Sequence, residues 1–144
     1  MLRIIPIILS MSLFGCSTLT TNETNLFEKY QGLSEEISNG SVLKNRSTYF
    51  SKYYLSEVTE SDEKSHFVLK MPGQLKTPTS HFQSFKNGIG CLTVNGKDSE
   101  GYPVSIFIEY TSENSDWLVN YMYLNMIEDE SSFESKAVCP REIE

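Results

Sequence analysis

The chain of 144 residues is long enough for one domain, and its 39% hydrophobic content, with eight Tyr, eight Phe and one Trp, excludes a disordered tail. Its formal net charge is −7, and no run of Lys or Arg interrupts the acidic composition. Such a surface repels phosphate groups, which argues against nucleic-acid binding and against a polybasic membrane patch.

Residues 4–14 form an apolar run after a start whose only charged side chain is Arg3. As a helix this run reaches roughly 16 Å, about half of the 30 Å hydrocarbon core of a bilayer. A buried core helix is the poorer interpretation, because Pro6 lies inside the run and the run has no polar face. A basic start, a short apolar segment and a small residue, here Gly15, are typical of a secretory signal peptide.

The four residues Leu13-Phe14-Gly15-Cys16 resemble the lipobox of bacterial lipoproteins, although Phe14 replaces a usually smaller residue. The resemblance implies cleavage between Gly15 and Cys16, a diacylglyceryl group on the Cys16 thiol, and a further acyl chain such as palmitate on the new amino group. Two or more acyl chains hold a protein at a membrane stably. The residue after Cys16 is Ser17 and not Asp. In this respect the chain resembles those lipoproteins of enteric bacteria that are sent to the outer membrane and not retained in the inner membrane.

We therefore expect a cleaved signal peptide at 1–15, an acylated Cys16 with a Ser/Thr/Asn-rich tether over 16–24, and one domain over 25–144. The expected location is the periplasmic face of the outer membrane of a Gram-negative bacterium. Ordinary cleavage without lipid and an uncleaved anchor are the alternatives.

Cys91 and Cys139 remain once Cys16 is assigned to the anchor. An even number of cysteines in an exported chain predicts one disulfide between them, with two buried thiols as the alternative. Closing about 48 residues stabilises a fold by roughly 4 kcal/mol in the chain-entropy model.

The first predicted element is a helix that begins near Asn25, with Glu28 as its capping-box partner, and ends at Asn39-Gly40. Its apolar face comprises Leu26, Phe27, Tyr30, Leu33 and Ile37. Helical spacing of aromatic residues predicts a second helix within residues 42–61. Residues 66–71 are predicted as a strand or extended entry, and residues 73–88 as an ordered loop.

Three β-rich segments follow, at 89–97, 102–111 and 116–127, and predict an antiparallel meander. Residues 98–101 are the favoured turn, which makes Asn95-Gly96 a predicted bulge. Strict alternation in the last strand would place Trp117, Val119, Tyr121 and Tyr123 on one face and Leu118, Met122, Leu124 and Met126 on the other. One face would then meet the helices, and the other would face a groove or a partner.

The expected fold class is α+β, with two N-terminal helices packed on a curved antiparallel meander of three or four strands. This pattern, with a Trp-led last strand at Asp116-Trp117-Leu118-Val119, is similar to the cone-shaped nuclear transport factor two-like (SnoaL-like) group over residues 25–127. That group contains small cyclases, isomerases and non-enzymatic pocket domains, and no catalytic residue carries over to this chain.

Chemical motifs are sparse, so we predict no catalytic residue, metal or cofactor. His66 and His81 lack the ligand spacing of a metal motif, and no Ser lies in a nucleophile elbow. Gly88-Ile89-Gly90 lacks the third glycine of a phosphate-binding loop. The densest acidic cluster is interpreted as a solvated strand end, with binding of a cation or basic partner as the alternative; it comprises Glu128, Asp129, Glu130 and Glu134.

Aromatic side chains are the one candidate for a ligand-facing feature, because Tyr and Trp combine an apolar body with a polar tip. Core packing is the competing interpretation. The candidate pocket or interface residues are Tyr110, Trp117, Tyr121 and Tyr123.

These observations favour a lipid-anchored, non-catalytic periplasmic domain that binds an envelope protein or other envelope component through its sheet. The first alternative is a ligand-binding protein or small enzyme of the cone-shaped group. The second is an immunity-type inhibitor whose acidic surface covers a basic toxin.

Overall fold

The computed structural model describes residues 24–58 and 63–143, so the predicted signal peptide and Cys16 lie outside the described part. The helices are α1 (Leu26–Ser38), α2 (Arg46–Tyr49), α3 (Lys52–Glu57) and α4 (Glu63–Leu69). The strands are β1 (Thr77–Lys86), β2 (Ile89–Lys97), β3 (Pro103–Glu113) and β4 (Asp116–Met126). Short 3₁₀ turns occupy Met71–Gln74, Glu130–Ser132 and Pro140–Glu142.

The four strands form one antiparallel sheet in the order β1-β2-β3-β4, which confirms an α+β fold with a meander. The β1–β2 turn uses Asn87 and Gly88, whose φ angles of 53° and 76° suit a tight hairpin. The β2–β3 turn falls at the predicted place, where Oδ1 of Asp98 accepts from the backbone N–H of Glu100 and Tyr102. One face of the sheet and the helices enclose the main core.

Helix α1 begins where the capping box predicted. Oδ1 of Asn25 accepts from the backbone N–H of Phe27 and Glu28, and its amide donates to Oε1 of Glu28 at 2.9 Å. The buried residues of the helix, at the expected spacing, are Leu26, Tyr30 and Leu33. The helix thus packs its apolar stripe against the sheet.

The second predicted helix is wrong, because the chain breaks into α2 and α3 at Phe50 and Ser51. The Ser51 N–H donates to the carbonyl of Val119 at 2.9 Å, and Phe50 forms a parallel bridge to Val119. Pairing with the sheet requires extended backbone, and the Ser51 hydroxyl then caps α3 by accepting from the N–H of Tyr54. Within residues 24–58 and 63–143, four short or medium helices therefore replace the expected two.

Two further predicted elements are also wrong. Residues 66–71 are not extended: most of them belong to α4, in which Ser65 and Leu69 are buried one turn apart. Residues 73–88 are mostly not a loop, since 77–86 form β1.

The predicted bulge at Asn95-Gly96 lies instead on the neighbouring strand β1, where Thr79 is the extra residue. Strand β2 itself pairs continuously with β3.

The faces of β4 differ from strict alternation because the register shifts at Asn120. Tyr110 pairs with Val119 and Glu109 pairs with Tyr121, which leaves Asn120 as a bulge. Beyond the bulge the alternation of side chains between the two faces is inverted. The residues of β4 that pack in the main core are Trp117, Val119, Met122 and Leu124. Those on the other face include Leu118, Tyr121 and Tyr123.

Candidate functional site

Strand β1 is an edge of the sheet, because within the described ranges its only ladder is with β2. Alternate residues of an antiparallel edge strand point their N–H and C=O groups away from the sheet. All ten residues of β1 are exposed or half-buried. The strand therefore offers backbone donors and acceptors to a further extended segment.

A groove of about 790 Å³ runs along the middle of this edge. One side is formed by Asn25, at the start of α1, and the other by the C-terminal residues 135–137. The floor comes from β1 residues on both faces, namely His81, Phe82, Gln83 and Ser84. Six of the eight lining residues carry polar side chains, and Lys136 is a cation among them.

Side chains of β1 fix the strand to the start of the domain. Oε1 of Gln83 accepts from the Leu26 N–H at 2.9 Å, and its Nε2 donates to the Thr24 carbonyl at 3.2 Å. The His81 ring stacks on Phe27 with centroids 3.8 Å apart and planes 1° from parallel. Contacts with the start of α1 thus fix the position of β1 at the groove, and Thr24, the first described residue, lies beside it.

The C-terminal segment covers the face of the sheet opposite the helices. The buried Asn95 donates from Nδ2 to the carbonyl of Glu134 at 2.8 Å, and the Val138 N–H donates to Oγ1 of Thr93 at 3.0 Å. Cys91 and Cys139 bring their Cα atoms to 5.0 Å with their sulfur atoms at bonding distance. Polar groups on this face therefore satisfy the backbone of the segment that forms one wall of the groove.

Glu109 lies on the same face and is buried. Its Oε1 accepts from Nδ2 of Asn120 at 2.9 Å and lies 3.4 Å from Nη2 of Arg141. Asn120 in turn accepts from the Ser51 hydroxyl at 2.8 Å, so the bulge in β4 connects the carboxylate to the start of α3. The guanidinium of Arg141 also lies 5.6 Å from the ring centroid of Tyr121.

The four aromatic residues that the sequence singled out do not form one pocket. Tyr110 is 1% exposed in the main core, and burial raises the pKa of its hydroxyl. Trp117 packs edge-on against Phe85, also on the helix side. Tyr121 and Tyr123 lie on the opposite face, where Tyr121 contacts Arg141 and Tyr123 is 39% exposed. On β4, the bulge at Asn120 puts Trp117 on one face and Tyr121 and Tyr123 on the other. A prediction that assumes strict alternation cannot locate such a bulge.

The two histidines occupy different parts of the fold: His81 lies in the groove and His66 lines a separate cavity between the short helices. Over residues 24–58 and 63–143, no group of three His, Cys, Asp or Glu side chains could hold a metal ion. The same residues include no helix long and apolar enough to cross a membrane.

The predicted acidic cluster forms local contacts at the end of β4. Asp129 accepts from the backbone N–H of Ser131, and hydrogen bonds from Ser131 lower the pKa of that carboxyl. Glu130 pairs with Lys97 at 2.8 Å, and both side chains are exposed. Both of these contacts are made by exposed side chains.

The sequence interpretation missed β1 and therefore the groove. Alternation was present, because His81, Gln83 and Phe85 point to the α1 side while Phe82 and Ser84 point away. The stretch is polar and contains Pro78 near its start, which favoured a loop. The available signal for an exposed edge strand was a weak alternation of aromatic and polar side chains at every second residue, without strong hydrophobicity.

Comparison with protein-family models, with curated proteins and with solved structures gave no match.

Proposed function

We propose that this protein is a lipid-anchored envelope lipoprotein whose domain binds an extended polypeptide segment of another envelope protein along β1. In this proposal Cys16 carries the lipid on the periplasmic face of the outer membrane, and the domain acts by binding, without catalysis. The observation that carries the proposal is the groove of about 790 Å³ along the unpaired edge of β1.

An extended polypeptide suits this groove because it can supply a backbone ladder to an exposed strand. Natural edge strands are commonly protected by proline, bulges and charged side chains. In β1 those features stand at the two ends: Pro78 and the bulge at Thr79 precede the groove, and Lys86 follows it. The intervening stretch contains neither acidic residues nor Lys or Arg, so it leaves the edge open to pairing.

The position of Thr24 supports a partner near the membrane. Thr24 is bonded to Gln83 at the groove and follows Cys16 by eight residues in the sequence. An extended chain covers at most about 3.6 Å per residue, so that tether spans less than roughly 30 Å. With Cys16 acylated, the groove would work within that distance of the lipid surface.

We further propose that the fold is a variant of the cone-shaped α+β group. Its support is the packing of α1 on one face of a four-stranded antiparallel meander. The variant would differ by its broken second helix and by the C-terminal segment that covers the outer face of the sheet.

The groove is tested by site-specific photo-crosslinking of the full chain in a Gram-negative host that makes it naturally. A benzoylphenylalanine residue replaces Ser84 in the groove or, as a matched control, the exposed Ser99 in the β2–β3 turn. We expect a discrete protein adduct with the probe at Ser84 and none at Ser99. Equal adducts at both positions, or none at Ser84, would contradict the proposal.

The anchor is tested separately with Cys16→Ser. We expect the variant to move from the membrane fraction to the soluble periplasm, because the thiol that accepts the lipid is lost. Membrane partitioning equal to that of the wild type would contradict acylation at Cys16. Ser17→Ala is the control, since it leaves the thiol in place.

A further inference from the structure

We propose that the disulfide between Cys91 and Cys139 is a redox switch for the β1 groove. Reduction by a dithiol frees the groove wall at 135–137 and weakens the binding of an extended polypeptide. This inference rests on the proposed polypeptide groove and concerns its regulation. Its basis is that the disulfide joins the strand beside the groove floor to the segment that forms one wall.

The wall is attached to β2 directly beside the groove floor. Alternate residues on the outer face of β2 hold the C-terminal segment, and these are Cys91, Thr93 and Asn95. Their partners across the ladder in β1 are Ser84, Phe82 and Ser80. Two of these partners, Phe82 and Ser84, belong to the floor of the groove. The position of the wall relative to the floor therefore depends on its attachment to β2.

The disulfide is the covalent part of this attachment. Residues 133–139 form no helix or strand, so their contacts with the sheet determine where they lie. The Nδ2 of Asn95 donates to the Glu134 carbonyl, and the Val138 N–H donates to Oγ1 of Thr93. Each of these hydrogen bonds contributes less to stability than a disulfide between residues 48 positions apart. Reduction therefore removes the strongest of the three ties.

The reduction is a thiol–disulfide exchange with an external dithiol. A thiolate of the dithiol attacks Sγ of Cys139, because Cys139 is half-buried whereas Cys91 is 4% exposed. The bond between the two cysteines breaks, Cys91 leaves as a thiolate, and a mixed disulfide forms on Cys139. The second thiol of the dithiol then displaces Cys139 and closes its own disulfide. Two electrons and two protons pass from the dithiol to the chain, which ends with two thiols.

The first test measures release of the wall without a partner. Amide hydrogen exchange is followed by nuclear magnetic resonance on the full chain, oxidised and after reduction with dithiothreitol. We expect the Val138 amide, which is bonded to Thr93, to exchange at least about tenfold faster on reduction, while α1 and β3 keep their rates. A double variant, Cys91→Ser with Cys139→Ser, should match the reduced wild type, and dithiothreitol should not change it further.

Unchanged exchange at Val138 on reduction would overturn the proposal. Equal acceleration in α1 and β3 would also overturn it, because the whole domain would then unfold and the wall would not be released locally.

The second test connects the switch to binding. The benzoylphenylalanine probe at Ser84 is placed in the otherwise wild-type chain and in the double variant, and adduct yields are compared at equal protein levels. We expect at least about fivefold less adduct in the double variant, because the groove is no longer preorganised. Equal yields would overturn the redox control and leave the groove itself standing. Absence of an adduct from the otherwise wild-type chain would overturn the groove, and this inference with it.

Discussion

Arg141 places its Nη2 3.4 Å from Oε1 of Glu109, and it joins the C-terminal segment to a carboxylate whose side chain is 4% exposed. The carboxylate would be costly to bury alone, because burial removes its hydration. Asn120 supplies one hydrogen bond and Arg141 supplies the opposite charge. The ion pair therefore ties the segment around Arg141 to the outer face of the sheet, four residues after the segment 135–137 that lines the β1 groove.

Arg141→Gln is expected to lower the free energy of unfolding by about 1–2 kcal/mol, measured by urea denaturation. The loss stays below that of a fully buried pair because Arg141 itself is 49% exposed and water screens its charge. Glu142→Gln, at the exposed neighbouring position, should change stability by less than about 0.5 kcal/mol. Equal unfolding curves for Arg141→Gln and the wild type would contradict this role.

The disulfide prediction concerns the same segment. Replacing both Cys91 and Cys139 by Ser should reduce the free energy of unfolding by about 4 kcal/mol, because a closed loop of this length no longer restricts the unfolded chain. The measurement compares urea unfolding of the double variant with that of the oxidised wild type. Thiol labelling of the unreduced, denatured wild type should leave both cysteines unmodified; labelling of both would show that the bond is absent.

Two glycines should respond to alanine in opposite directions. A Cβ on Gly96 would lie 2.3 Å from the backbone oxygen of Thr77, so Gly96→Ala must displace β1 and should destabilise the fold by more than about 2 kcal/mol. A Cβ on Gly32, within α1, meets nothing within 4 Å. Gly32→Ala should therefore raise stability by about 0.5–1 kcal/mol. Thermal unfolding of the two variants tests the pair, and a loss of stability in both would be the contrary result.

Buried tyrosines predict a stability that falls at alkaline pH. Burial raises the pKa of Tyr30, Tyr54 and Tyr110 above the ordinary value of 10. The neutral hydroxyl is thus favoured in the folded state, so this contribution is complete below pH 10 and is lost as the pH rises further. We expect a late rise in phenolate absorbance that coincides with loss of circular dichroism.

The same titration on variants identifies the groups concerned. Tyr110→Phe should reduce the amplitude of the late rise, whereas Tyr102→Phe, at a site that is 57% exposed, should leave it unchanged. A late rise that is identical in Tyr110→Phe and the wild type would exclude Tyr110 from it.

Local signals in the sequence were sufficient for α1 and for the three strongest strands. Asn25 and Glu28 define a helix start within a few residues, and the turn at Asp98 depends on its own side chain. The remaining errors come from tertiary contacts. Phe50 and Ser51 leave helical geometry because Val119 offers backbone pairing. Propensity within residues 42–61 contains no information about that partner.

The candidate site was less accessible from sequence than the fold. Strand β1 has few of the apolar residues that identify strands, because its side chains are exposed or half-buried. The feature that matters for the candidate site is its exposed backbone edge, which hydrophobicity does not reveal. Tyr121 was grouped with Trp117 because alternation has no means of locating the bulge at Asn120. The groove became visible only when β1, the start of α1 and residues 135–137 were seen together.

Hydrogen–deuterium exchange on the complex tests most directly whether β1 accepts an extended segment. The ligand is the synthetic peptide whose sequence is obtained from the Ser84 adduct, added to the full chain at saturation. We expect slower amide exchange within 79–86 as the exposed edge gains hydrogen bonds, with α2 and α3 unchanged. Protection confined to the helices, with β1 exchanging as in the free protein, would contradict it.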